Sequence, residues 1–180
     1  MKKIPLSLPD VYLIENEVFK DSRGSLSEVY KDEQAYDTLG FKNVLELEVV
    51  SVKGVLRGLH YQLDPYAQAK IVRVVSGKIF DIVVDIRKSS KTFGKWCSYV
   101  LGNEFSQQLY IPRGFAHGYY TIEDNTKIIY KLDNIYDKSS YRGIRYDDEF
   151  LDIDWCLKDD PIMSEQDLAL PKLSKAEVFE

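Results

Sequence analysis

The stretch from Lys78 to Arg87 constrains the fold of this chain more than any other. Its residues alternate between two faces, Ile79, Asp81, Val83 and Asp85 on one and Phe80, Ile82, Val84 and Ile86 on the other, and β-branched residues dominate. A period of two with that composition predicts a strand, with the second, wholly apolar face turned to the core. Ser76-Gly77 separates it from Lys70 to Val75, a second apolar and β-branched run, so the pair reads as two strands joined by a tight turn. Further strands are predicted at Trp96 to Leu101, closed by Gly102-Asn103, at Gln107 to Ile111, at Ala116 to Ile122, and at Lys127 to Leu132 beyond Asp124-Asn125. From about Val44 to Leu132 no long helical pattern interrupts them, and closely spaced short strands with few helices point to a sandwich or a jelly-roll barrel. A short helical turn is expected over 32–39, and from Ser164 onward, past Pro171, irregular chain ending in a weak helix.

The 180 residues suit one domain, and neither a repeat nor a low-complexity linker divides residues 1–180. With 24 Lys and Arg against 29 Asp and Glu, the net charge is −5, and no basic block offers a grip on nucleic acid or an anionic lipid surface. Pro5, Pro9 and Asp10 interrupt what would be the apolar core of a signal peptide, and no stretch approaches the roughly 20 apolar residues of a membrane span. A cytoplasmic protein is expected. Cys97 and Cys156 stand far apart without thiol or histidine companions and read as ordinary buried thiols.

A small β-barrel can hold one small ligand, so polar residues that point inward carry the functional information. The chain has only two histidines, and both lie among glycines and beside an arginine: Arg57-Gly58-Leu59-His60 and Arg113-Gly114-Phe115-Ala116-His117-Gly118. Glycine lets backbone approach closely and arginine suits an anion, which favours a site over two merely structural histidines. Close ligand pairs are lacking, so a metal site is not expected. No nucleophile elbow, dinucleotide fingerprint or phosphate loop occurs either. What remains is acid–base chemistry without a cofactor, for which His60, Lys70, Asp81, His117 and Tyr130 are the candidates, with Tyr136 and Asp167 further along. Taken singly, Lys70 reads equally as a solvated strand charge, Tyr130 as one aromatic among 13 tyrosines, and Asp167 as a helix cap.

The run Val55-Leu56-Arg57-Gly58-Leu59-His60-Tyr61-Gln62 resembles the dTDP-4-dehydrorhamnose 3,5-epimerases, a family with the cupin jelly-roll fold. The likeness continues through Ala69 to Gly77, Asp81 to Arg87, Thr92-Phe93-Gly94, Tyr110 to Gly118 and Tyr130-Lys131. It includes Asp21-Ser22-Arg23-Gly24 and Glu28 near the start and Asp154-Trp155 and Asp167 near the end. The resemblance implies an all-β cupin jelly-roll barrel with short peripheral helices, and inversion of C3 and C5 of a nucleotide-linked 4-keto sugar without a cofactor. By the same resemblance His60 is the base, Asp167 its orienting carboxylate, Tyr130 the acid on the opposite face and Lys70 the cation beside the keto oxygen. Asp81 and His117 form a second pair near the substrate, Tyr136 belongs to its binding, Arg57 meets the diphosphate, and Arg23 and Glu28 reach the nucleotide. A homodimer with exchanged N-terminal strands is implied, as is a role in bacterial surface-polysaccharide biosynthesis.

Several positions depart from the family pattern. Leu45, Leu47 and Val49 stand where polar residues usually line the pocket, Tyr141 stands for a glutamate, Gln166 for a lysine, and Leu26 for an aromatic. Intact chemistry with altered recognition leaves two substrate types open, the usual dTDP-4-keto-6-deoxyglucose and a GDP-linked 4-keto-heptose. Glu28 does not separate them, because a carboxylate accepts from the ring N–H donors of thymine and of guanine alike. Epimerisation at C3 alone, 3,4-ketoisomerisation, and a sugar-binding cupin without activity are the alternatives.

Overall fold

The structure, a computed structural model, describes residues 2–31 and 39–180. Except for Leu39, the expected helical turn over 32–39 lies outside the described residues. Two sheets pack face to face. The first has six strands in the order β1 (Lys2–Pro5), β2 (Tyr12–Glu15), β10 (Gln107–Ile111), β7 (Lys70–Ser76), β12 (Thr126–Leu132) and β5 (Leu45–Ser51). The second has five, in the order β13 (Tyr141–Gly143), β6 (Leu56–Gln62), β11 (Phe115–Thr121), β8 (Lys78–Asp85) and β9 (Trp96–Gly102). An exposed hairpin, β3 (Val18–Asp21) and β4 (Gly24–Ser27), stands apart from both. The named strands pair antiparallel, and most neighbours within the two sheets are not consecutive in sequence, as a jelly roll requires. The sheets do not close into a continuous barrel. The predicted central strands agree with β7 to β12 to within a residue or two, whereas β1 to β4 and β13 lie outside the expected β-rich stretch.

The alternation in β8 was expected to divide a core face from a second face, but both are buried. Ile79 and Val83 join Val72, Leu109 and Ile128 between the sheets, while Ile82, Val84 and Ile86 pack outward under a second cluster. Ile144, Leu151, Trp155, Leu173 and Val178 supply that cluster's cover, all from the chain that follows β13. The C-terminal chain is therefore a third layer and not a loose tail. Its one α-helix, α1 (Glu165–Leu168), stands near the start of the expected irregular segment, and a single 3-10 turn, Leu173–Lys175, follows. Trp96 and Trp155 each donate an indole N–H to a carbonyl of this layer, Leu151 and Tyr146 respectively, so their buried polar edges are satisfied. Of the two cysteines only Cys97 is buried, with burial pushing its thiol up to about 12, while Cys156 is exposed in that same layer.

Candidate active site

Simple alternation along β6 would set Arg57 and His60, three residues apart, on opposite faces. A bulge brings them together. The β6–β11 register shifts between His117 and Tyr119, and Gly58 sits there with φ +128°. A Cβ on Gly58 would lie 2.5 Å from the Cα of Gly118, so the two strands approach as only glycine permits. Beyond the bulge, Arg57, His60 and Gln62 all line one cavity of about 260 Å³, with His117 and Tyr119 from β11. Lys70 and Tyr130 enter from β7 and β12 of the facing sheet, so His60 and Tyr130 occupy opposite walls.

Asp167 arrives from the covering layer. Ser164 caps α1 by accepting the Asp167 backbone N–H at 3.1 Å, and this fixes where the carboxylate enters. One carboxylate oxygen receives His60 Nε2–H at 2.8 Å and the other the backbone N–H of Gly58 at 3.4 Å. The carboxylate thereby selects the tautomer in which Nδ1 carries the free lone pair. Burial pulls the His60 imidazole below its ordinary range, with the Asp167 hydrogen bond opposing and Lys70 and His117 adding to the fall. For Asp167 burial acts upward, but the His60 hydrogen bond and charge and the Gly58 N–H outweigh it, so its carboxyl titrates low. The pair at neutral pH is a neutral imidazole on a carboxylate.

Burial drives the Tyr130 phenol well above its ordinary value, so it keeps its proton. Its ring meets the edge of His117 at 6.0 Å between centroids. Burial likewise pulls the Lys70 ammonium down to about 8, with Asp81 opposing, and its Nζ donates to the His60 carbonyl at 3.2 Å. Asp81, fully buried on β8, accepts from His117 Nε2 at 3.0 Å on both oxygens. Burial raises the Asp81 carboxyl, against His117 and Lys70.

Of the residues singled out in the sequence, the cavity gathers Arg57, His60, Lys70, His117, Tyr130 and Tyr136, with Asp81 and Asp167 directly behind them. It does not gather Arg23 or Glu28. Arg23 stands at the tip of the exposed hairpin, paired with Asp21, and Glu28 is exposed just beyond it. Sequence reasoning did not pick out Gln62, Gln68 or Tyr119, and read Tyr141 only as a departure, yet all four line the cavity. Gln62 and Tyr119 could have been found by stepping two residues along each strand from His60 and His117. A larger cleft of about 650 Å³, between the chain around Pro5–Asp10 and the loop at Arg87–Thr92, has none of these groups.

Residues 5–175 match the family model described as dTDP-4-dehydrorhamnose 3,5-epimerase. The chain belongs to that family. Its members are isomerases, and this one is 44% identical over 181 residues to the dTDP-4-dehydrorhamnose 3,5-epimerase of Shigella flexneri, the alignment covering 99% of each chain. Among solved structures of the family, the dTDP-6-deoxy-D-glucose-3,5-epimerase of Legionella pneumophila in complex with dTDP-4-keto-L-rhamnose superposes with a TM-score of 0.92. It is 36% identical, over 97% of this chain and 93% of that one. A 3'-monoepimerase of Streptomyces bikiniensis in complex with dTDP-quinovose gives a TM-score of 0.89 at 28% identity, over 94% of this chain and 87% of that one. The fold is thus the cupin jelly roll of these epimerases.

Proposed function

We propose that the protein inverts C3 and C5 of a dTDP-linked 4-keto-6-deoxy sugar through an enolate. One observation carries this reading: a neutral imidazole held on a carboxylate and a protonated phenol stand on opposite walls of one cavity, with an ammonium between the sheets beside them. A 4-keto group acidifies the hydrogens on both neighbouring carbons, because the electron pair left behind delocalises onto oxygen. His60 Nδ1 takes the proton from one face, and the negative charge appears on the keto oxygen. Lys70 meets that charge where water is excluded, which lowers the barrier because the charge is absent from the ground state. Tyr130 then protonates the carbon from the other face, and its configuration is inverted. The imidazolium and phenolate return to their starting states by exchange with solvent.

Arg57, at the cavity edge, takes the diphosphate, and Tyr136 adds an aromatic wall. Arg23 and Glu28 lie outside their own protomer's cavity, which fits a homodimer whose N-terminal strands exchange and carry them to the partner's nucleotide. The exposed Phe19 and Leu26 on the same hairpin are the apolar surface such an exchange would cover. The setting proposed is cytoplasmic, supplying a deoxy sugar for bacterial surface polysaccharide, since a nucleotide diphosphate is too charged to cross a bilayer unaided.

The test is incubation with dTDP-4-keto-6-deoxyglucose in deuterated water and mass analysis of the sugar. Uptake of two deuterons supports the reading. A second reading, inversion at C3 alone or on a GDP-linked 4-keto-heptose, draws on Leu47 and Val49, which give the cavity an apolar wall beside Tyr130 and Ile128. One deuteron would favour the single-centre epimerase, or a ketoisomerase if the carbonyl has moved. Uptake only from the GDP sugar would change the nucleotide, and none from either would leave a binding protein.

A further inference from the structure

The short strand β13 offers His60 one side chain. Gly143 stands directly opposite His60 in the β6–β13 ladder, and the space a Cβ would take there is filled by Leu170 and the Leu59 carbonyl. Arg142 points to the other face and pairs with Glu177. Tyr141, two residues from Gly143 and opposite Gln62, is thus on His60's face at the diagonal spacing an aromatic ring can bridge. It does so: the imidazole and phenol centroids are 5.4 Å apart and tilted by 43°, and the Tyr136 ring lies 6.1 Å from that of Tyr141 at a tilt of 60°. Tyr141 lines the cavity, and its hydroxyl has no hydrogen-bond partner among the described residues.

We propose that Tyr141 is a positioning residue for the base: its ring closes the open side of the His60 imidazole and holds it against Asp167. This rests on His60 acting as the base. A hydrogen bond of 2.8 Å fixes the Nε2 end but leaves the ring free to swing about it, and a flat neighbour on one side removes that freedom. The same ring covers part of the imidazole, whose side chain remains 24% exposed. The charged and titratable groups around His60 are Asp167 from α1, Lys70 from β7, His117 from β11 and Tyr141 from β13. Removing the Tyr141 ring leaves the first three in place and admits solvent. Since burial is the largest cause of the lowered His60 pKa, the imidazole then titrates higher.

With two histidines in the chain, proton NMR resolves each imidazole, and H60N assigns them. In the ligand-free protein, Y141A is expected to raise the His60 midpoint by about half a pH unit or more, with Y141F indistinguishable from the parent. In turnover, Y141A is expected to lower kcat about tenfold with little change in KM, and Y141F to restore it. Should Y141A not fold, Y141L keeps the bulk without the flat ring and is expected to shift the midpoint the same way by less. An unmoved midpoint in both, or a loss in Y141F equal to that in Y141A, would overturn the proposal. The titration needs no substrate, so absence of epimerase activity in the parent would refute the functional reading without disturbing this measurement, while normal activity with an unmoved midpoint would refute Tyr141 alone.

Discussion

In the proposed mechanism, a base and an electrostatic catalyst that titrate on opposite sides of neutrality would set the working window of this cavity. His60 is useful only when neutral, and its pKa lies below the ordinary 6.5, so kcat/KM should fall as pH drops through a midpoint under that value. Lys70 is useful only when charged, and with its pKa near 8 the alkaline limb should begin there. A pH profile with no alkaline limb up to about pH 10 would show that the Lys70 charge is not needed. K70R, whose guanidinium stays charged, is expected to abolish that limb while lowering kcat, since a planar fork does not reproduce an ammonium. H60N and Y130F should each lower kcat by about 100-fold or more, measured by deuterium uptake, with the fold retained by circular dichroism. His60 and His117 stood out in the sequence because glycines and an arginine flank each of them, whereas Lys70, Tyr130 and Asp167, taken singly, read equally as ordinary residues. Their pairing was legible only through family resemblance, since 107 residues separate His60 from Asp167 and 36 separate Asp81 from His117.

At the scale of elements, the Gly58 bulge decides which side chains share the cavity. Alanine there would place its Cβ against backbone, with no flexible side chain to yield, at a φ that alanine disfavours. G58A is therefore expected to cost roughly 2–4 kcal/mol in chemical denaturation and to abolish activity, even in the fraction that remains folded. The bulge could not be read from the chain, because a period-two pattern assigns Arg57 and His60 to opposite faces until one residue is inserted. The covering layer escaped sequence reading for a related reason. Leu151, Trp155 and Val178 lie in irregular chain and Leu173 in a single 3-10 turn, so no helical or strand period marks them as core. Trp155→Ala should cost about 3–5 kcal/mol, a loss that an irregular solvent-exposed tail would not give.

Across the whole molecule, the exposed hairpin lies outside the cavity of its own protomer, and the proposed dimer would bring the two together. R23A is expected to raise KM about tenfold with kcat unchanged, because the lost contact would be to the nucleotide and equal in ground and transition states. A fall in kcat with KM constant would place Arg23 at the chemistry instead. Light scattering should give twice the chain mass. Strand spacing pointed to a sandwich or a jelly roll and the family resemblance to the second, but the hairpin's exposure and the place of Arg23 outside the cavity, paired with Asp21, appear only when the chain is folded.

Asp167 belongs to the layer that covers the second sheet, and so follows every strand in the order of synthesis. A chain on the ribosome that has completed both sheets already holds His60, Lys70 and Tyr130, but its imidazole has no carboxylate to choose the tautomer. In the proposed mechanism the orientation of the base is therefore the last part of the site to be completed, and a chain clipped ahead of Ser164 would keep the imidazole without the carboxylate that holds it.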